Sequence, residues 1–195
     1  MAEVFLFDLG GVLSKPIDDY ELYCNLHCKV SYSTFLNYWW YDDLVIQAHK
    51  GLVSDEKHVG SLLDFCKSDI TIDEFYKMYQ NLDNSLYDRT VEFINNLKSV
   101  GYKVGILSNL RLMDFNRYKE RLQQIGFDYY FLSYELKEIK PSKEIYQKVL
   151  QNLRCIPSDV VFFDDKLENV NAAKAVGMCA YQVTGNEINQ FSENK

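Results

Sequence analysis

Short apolar runs that each stop at a polar residue are the feature that most limits how this chain can fold. Val160-Val161-Phe162-Phe163 runs into Asp164-Asp165, and Val4-Phe5-Leu6-Phe7 runs into Asp8. Four or five apolar, β-branched or aromatic residues bounded by polar signals read as a strand buried on both faces. Strand segments are legible at Glu3 to Asp8, Lys103 to Leu107, Tyr129 to Ser133, Val160 to Asp164 and Cys179 to Val183. Between the last four lie amphipathic stretches, Asp114 to Ile125, Ser142 to Asn152 and Leu167 to Val176. Strand and helix in alternation build a parallel sheet with right-handed crossovers. Gly126 and Gly177 stand where helices should end, and Ser follows Pro141 and Pro157 at positions suited to helix starts. In such sheets the ligand crevice lies outside the carboxyl ends of the strands, so acids at those tips are placed for chemistry.

From about Pro16 to Leu86 the pattern changes. No strand-like run occurs there, and the helical stretches are Tyr20 to Cys28, Tyr32 to Lys50, Ser54 to Lys67 and Ile72 to Gln80. Ser54-Asp55-Glu56-Lys57 and Thr71-Ile72-Asp73-Glu74 read as helix starts with acid in the first turn. The chain then returns through a helix from Asp88 to Ser99. The expected organisation is an α/β core made of 1–15 and 87–195 and an all-helical cap domain, 16–86. An insertion leaving just after the first acidic strand tip would overhang the crevice as a lid. The polar tail from Gly185 to Lys195 is expected to fray.

The length of 195 residues suits one domain with a modest insertion. Twenty-one Lys and Arg against 28 Asp and Glu leave a net charge of −7, the wrong sign for general binding to nucleic acid or to an anionic membrane. No stretch approaches ~18 consecutive apolar residues, and Met1-Ala2-Glu3 opens into a strand without a cationic leader, so a cytoplasmic protein is expected. The cysteines (Cys24, Cys28, Cys66, Cys155, Cys179) are odd in number and lack CxxC spacing, which suits reduced thiols. Cys24, His27 and Cys28 share a helix face, but tetrahedral zinc wants four ligands and no second half matches them; packing is the better account. Nothing demands more than a monomer, and a homodimer is compatible.

Three clustered carboxylates repel one another and call for a cation, most naturally Mg²⁺ with its oxygen ligands. Four short pieces fall at strand ends: Phe7-Asp8-Leu9-Gly10-Gly11-Val12-Leu13, Leu107-Ser108-Asn109, Lys140-Pro141 and Phe163-Asp164-Asp165. In this order they resemble the haloacid dehalogenase superfamily of aspartate-nucleophile hydrolases over nearly the whole chain. The resemblance is greatest to small members of subfamily IA with a helical C1 cap after the first strand, among them glucose-1-phosphatase-like enzymes. It implies a Rossmann-like doubly wound sheet of order 5-4-1-2-3 and Mg²⁺-dependent hydrolysis of a small phosphorylated metabolite such as a sugar phosphate. By the same resemblance Asp8 is the nucleophile, forming an aspartyl-phosphate that water hydrolyses. Asp8, Asp165 and the main-chain carbonyl of Gly10 would bind Mg²⁺. Ser108 and the backbone N–H of Asn109 would hold phosphate oxygens, Lys140 would neutralise phosphate and Asp8, and Asp164 would orient a metal-bound water or Lys140.

One position departs from the family pattern. Its phosphatases usually carry a second Asp two residues after the nucleophile, to protonate the leaving group, and here that place is Gly10. Losing a general acid typically costs about 10²- to 10⁴-fold in rate. The loss shrinks for a good leaving group, such as an anomeric sugar phosphate or an acyl phosphate; alternatively Asp18, Asp19 or His27 of the insertion delivers the proton. Two other readings stay open: a metal-free 2-haloacid dehalogenase, whose halide needs no proton, and a catalytically weak protein that binds phosphate ligands.

Other residues have plainer readings. Arg111 is near Ser108 and reads as a solvated loop charge before it reads as an anion ligand. His49 and His58 have no recognisable partner. Tyr38-Trp39-Trp40-Tyr41 invites a sugar-stacking role, but neighbouring aromatics on a helix point different ways, and packing inside the insertion is the favoured reading.

Overall fold

The computed structural model describes residues 3–188. In chain order the elements are β1 (Val4–Phe7), α1 (Asp19–Asn25), α2 (Tyr32–Tyr41), α3 (Asp43–His49), α4 (Asp55–Cys66), α5 (Ile72–Asn81) and α6 (Asp88–Val100). They continue with β2 (Lys103–Ser108), α7 (Leu112–Ile125), β3 (Tyr129–Leu132), α8 (Ser133–Leu136), α9 (Lys143–Leu153), β4 (Val160–Asp164), α10 (Leu167–Ala175) and β5 (Cys179–Gln182). The strands form one sheet of order β3-β2-β1-β4-β5, every pair parallel. This is the expected order read from the opposite edge.

The strands are apolar throughout because both of their faces are covered. Phe5, Phe7, Val104, Ile106, Val161 and Phe163 point to one side, where Phe93, Ile94 and Leu97 of α6 and Leu122 of α7 meet them. Val4, Leu6, Leu107, Val160 and Phe162 point to the other, against Ile145, Tyr146 and Val149 of α9 and Val170 and Ala173 of α10. Side chains alternate between the faces of a strand, so neighbouring residues of each run feed different cores. β1 lies between β2 and β4, and its neighbours return in opposite directions along the sheet, which opens a crevice at its carboxyl end. Phe7 pairs with Phe163, so the next residues, Asp8 and Asp164, emerge side by side.

Between β1 and α6 the chain forms only helices, α1 to α5. They enclose a separate cluster that includes Leu22, Phe35, Trp39, Leu62 and Phe75, joined from α7 by Met113. The single helix expected from Tyr32 to Lys50 is two. Asp42 breaks it, with an extended backbone (ψ 140°) and a carboxylate that accepts from the N–H of Leu44, so a good N-cap outcompetes helix continuation. The strand expected to reach Ser133 stops at Leu132, because Ser133 opens the short helix α8. α7 begins at Leu112, two residues before the expected start, where Asp114 reaches back to the N–H of Arg111. Pro157 starts only one 3₁₀ turn, Pro157–Asp159.

Gly126 ends α7 at φ 70°, and all five cysteines are free. Cys24 is exposed, Cys28 packs against the insertion's core, and His27 bonds to Asp69 at 2.7 Å. Among the described residues no helix is long and apolar enough to cross a membrane. Residues 189–195 of the tail expected to fray lie outside the described residues.

Packing between β1 and β3 is close enough to exclude a side chain from β2. A Cβ on Gly105 would lie 2.9 Å from Leu6 Cδ2 and 2.9 Å from Tyr129 Cβ. Gly105→Ala should therefore lower stability by about 1–3 kcal/mol despite alanine's lower backbone entropy. At Gly60 in α4 the nearest atom is 3.8 Å away, and Gly60→Ala should raise stability by about 0.5–1 kcal/mol. Urea unfolding of the two variants checks the opposite signs; a stabilising Gly105→Ala would contradict the packing.

Candidate active site

The adjacent tips of β1 and β4 place Asp8 and Asp164 together, and the loop before α9 brings a buried ammonium between them. Lys140 Nζ lies 2.9 Å from Asp8 Oδ1 and 2.6 Å from Asp164 Oδ2, and donates to the carbonyl of Leu107 at 3.0 Å. Burial opposes the charge on Lys140, but Asp8 and Asp164 more than offset this and raise its pKa above the ordinary lysine value.

Asp8 is held through one oxygen. Its Oδ1 accepts from Leu9 N at 2.8 Å, from Ser108 Oγ at 2.6 Å and from Lys140, whereas no hydrogen bond reaches Oδ2 among the described residues. Burial, reinforced by Asp164, raises the Asp8 pKa above the usual carboxylate range, with Lys140 and Ser108 working against the shift.

Asp164 is fully buried, and both its oxygens are engaged within the protein. Asn169 Nδ2 donates to Oδ1 at 2.9 Å and to Oδ2 at 3.0 Å, and the N–H of Lys166 donates to Oδ1 at 2.8 Å. It thus holds Lys140 Nζ, a contact that matches one of the two tasks expected of it. Asn109 holds the Lys140 backbone: its Nδ2 donates to the Lys140 carbonyl at 2.9 Å, and its Oδ1 accepts from the Lys140 N–H at 2.8 Å.

Asp165 differs from both other acids. Its Oδ1 is buried and has no hydrogen-bond partner among the described residues. Burial, with Asp8 and Asp164 close by, pushes its pKa up to about 6. One oxygen each from Asp8, Asp164 and Asp165 lies within 4.8 Å of the others. An oxygen-only donor set with a surplus of negative charge and one orphaned buried oxygen fits a hard divalent cation such as Mg²⁺. The loop between β1 and this cluster must pass very close. Gly11 adopts φ 81°, and a Cβ there would lie 2.6 Å from Asp165 Oδ2.

The cluster opens into a cleft of about 650 Å³ between the carboxyl ends of the strands and the helical insertion. Asp8, Gly10, Ser108, Asn109, Lys140 and Asp165 line it, and Asp164 does not. Trp39, Trp40 and Tyr41 line it from α2. The aromatic patch thus divides: Tyr38 and Trp39 are buried in the insertion's core, while Trp40 is 46% and Tyr41 73% exposed at the cleft. Trp40 is fixed by a 3.0 Å bond from its Nε1 to Asp19 Oδ2 and by Lys166 Nζ over its ring at 5.3 Å.

Arg111 is not a solvated charge. It is 3% exposed, pairs with Asp114 through Nε at 2.8 Å and Nη2 at 3.0 Å, stacks on Trp39 at 4.5 Å, and bonds to Tyr79. Its Nη1 is 3.4 Å from His58 Nε2. Burial opposes the charges on Arg111 and Asp114, yet each holds the other ionised. A core ion pair thus enters the insertion, which is further tied down by Met113 N to Asp55 at 2.8 Å and Ser133 Oγ to the carbonyl of His49 at 2.7 Å. Asn169, Tyr79 and His58 carried no signal in the sequence, since each is defined by partners 5 to 53 residues away.

A family model for haloacid dehalogenase-like hydrolases matches residues 2–177. The chain belongs to the haloacid dehalogenase-like hydrolase family. It is 24% identical over 191 residues to a D-ribitol-5-phosphate phosphatase of Bacteroides thetaiotaomicron, covering 93% of this chain and 92% of that one. It is 25% identical over 194 residues to a phosphorylated carbohydrates phosphatase of Thermotoga maritima, covering 90% of this chain and 82% of that one. A haloacid dehalogenase family enzyme of Bacteroides thetaiotaomicron, solved in complex with magnesium and inorganic phosphate, superposes with a TM-score of 0.82 at 22% identity and 96% coverage of each chain.

The histidines beside Arg111 give this family member a specific acid sensitivity. Burial, with Arg111 adding to it, takes His49 down from 6.5 to about 4 and His58 to about 3. Unfolded, both imidazoles take up protons near 6.5, so below that pH the unfolded state binds more protons and stability falls with pH. From about pH 7 to about pH 5 the loss should reach at most about 2 kcal/mol per histidine. His58→Gln should lose less stability over this interval than the wild type in urea unfolding. Asp165, whose raised pKa acts in the opposite sense, cancels in that difference; parallel pH profiles would contradict the linkage.

Proposed function

We propose that this protein is a Mg²⁺-dependent phosphatase that hydrolyses a small phosphomonoester, with sugar phosphates as the favoured class, through an aspartyl-phosphate on Asp8. The observation that carries the reading is the asymmetry of Asp8, a cleft-lining residue: Oδ1 is fixed by three donors and Oδ2 takes none among the described residues. A carboxylate held this way has its attacking oxygen positioned before substrate arrives. The two relatives that act on phosphorylated polyols or carbohydrates support the substrate class.

In the proposed reaction Asp8 Oδ2 forms a bond to phosphorus as the bond from phosphorus to the leaving oxygen breaks, and water then cleaves the acyl phosphate to restore Asp8. Lys140 neutralises charge on the phosphoryl group, and Asp164, Asn169 and Asn109 keep it in place. Ser108 Oγ and the Asn109 N–H bind phosphate oxygens. Asp8, Asp165 and the Gly10 carbonyl would hold Mg²⁺, which when bound screens the anion's charge from the nucleophile. The metal-free dehalogenase reading leaves the Asp165 carboxylate without a purpose. Residues 16–86 act as the cap domain, excluding water and presenting Trp40 and Tyr41 to the leaving group.

The three insertion residues named as substitutes for the absent general acid stand outside the cleft lining. Asp18 caps α1, Asp19 is bound to Trp40, and His27 pairs with Asp69; none of them lines the cleft. The enzyme therefore favours esters whose leaving oxygen departs readily. A Cβ on Gly10 would meet no atom within 4 Å, so a side chain can leave the backbone there without a clash at Cβ. Asp8→Asn should cut Mg²⁺-dependent phosphate release by about 10³-fold or more while the protein stays folded. Gly10→Asp should raise turnover of simple alkyl phosphates by about tenfold or more. Phosphate-release assays with both variants check this, and normal activity in Asp8→Asn would remove Asp8 from the mechanism.

A further inference from the structure

Arg111, Arg117 and Lys140 are buried cations that line the cleft. Two have their anions in the protein: Arg111 has Asp114, and Lys140 has Asp8 and Asp164. Arg117 has none among the described residues. It is 7% exposed, and its Nε and Nη1 are buried without any hydrogen-bond partner. Each buried donor left unsatisfied costs free energy, and an uncompensated charge adds to that cost.

The protein nevertheless fixes this side chain. Arg117 Nη2 donates to the carbonyls of Leu82 at 3.1 Å and Asp83 at 3.0 Å, where the insertion rejoins the core. Its guanidinium lies over the rings of Tyr79 at 4.7 Å and Tyr118 at 5.4 Å. Those contacts use one nitrogen and the flat faces, and they leave the charge uncancelled. Arg117 is also connected to the nucleophile loop. Its neighbour Tyr118 meets Ser14 Oγ at 3.4 Å, and Ser14 bridges to Gly10 beside the nucleophile. Ser14 and Lys15 line the cleft as Arg117 does.

We propose that Arg117 is the anchor of a second anion subsite, so that the preferred substrate carries, besides its phosphoryl group, a distal oxyanion such as a carboxylate. This rests on the phosphatase reading and extends it: the acidic end of the cleft takes the phosphoryl group with its metal, and the Arg117 end takes the other charge. A ligand oxyanion supplies the counter-charge and acceptors that the fold withholds, so its binding recovers what burying Arg117 costs.

The test uses matched phosphomonoesters of three to six carbons, one of each pair ending in a carboxylate and the other in a hydroxymethyl group, assayed with Mg²⁺. The wild type should prefer the carboxylate member in kcat/KM by about tenfold or more at one chain length. Arg117→Met should abolish the preference and leave kcat/KM for the uncharged member within about twofold. Should Arg117→Met not fold, Arg117→Lys serves, with a reduced preference and an unchanged rate on the uncharged member. Hydrolysis of both members without preference, or an equal loss on both in either variant, overturns the subsite and leaves the phosphatase reading standing. Absence of Mg²⁺-dependent phosphate release from every member and from p-nitrophenyl phosphate overturns both.

Discussion

One buried ammonium shared by two carboxylates governs this site. Lys140 Nζ is in contact with Asp8 and Asp164 at once, and neither acid would be stable as an anion at that depth without it. The balance is incomplete, however, because Asp165 adds a third carboxylate to the same few ångströms. Burial first and that surplus second raise its pKa, and its buried Oδ1 has no hydrogen-bond partner among the described residues. A divalent cation held by these carboxylates would relieve the surplus and would make the site less repulsive to a phosphoryl anion.

The fold supplies this arrangement by register and by order. β1 stands where the winding of the sheet reverses, so β2 and β4 flank it and their tips converge. Pairing of Phe7 with Phe163 sets Asp8 beside Asp164 without any contribution from the loops. The loops then refine the position of the ammonium, chiefly through the reciprocal bonds between Asn109 and the Lys140 backbone. The helical insertion closes the cleft from above, with Arg111 reaching from α7 to stack on Trp39.

The sheet and the acid cluster were legible because both depend on short-range pattern. Runs such as Val160-Val161-Phe162-Phe163 declare a strand covered on both faces, and the polar residue that ends each run marks its tip. Less was legible where a side chain chooses among distant partners. Arg111 looked solvated because nothing near it in the sequence announces Tyr79, His58 and Trp39. His58 gave no sign of burial for the same reason. Asp42 differs again: helical periodicity continues through it from Tyr32 to Lys50, but its carboxylate caps α3 and divides the helix. Asn169 sits five residues after Asp164 in an ordinary helix start, and only the fold reveals that it holds that carboxylate.

Calorimetric titration of Mg²⁺ into the wild type and into Asp165→Asn tests the charge surplus most directly, because it needs neither a substrate nor turnover. The wild type should bind a single Mg²⁺, and Asp165→Asn should lose that binding while unfolding at a similar or higher temperature, since a crowded carboxylate has been removed. Equal Mg²⁺ affinity in the two proteins, or no binding by the wild type, would contradict the account.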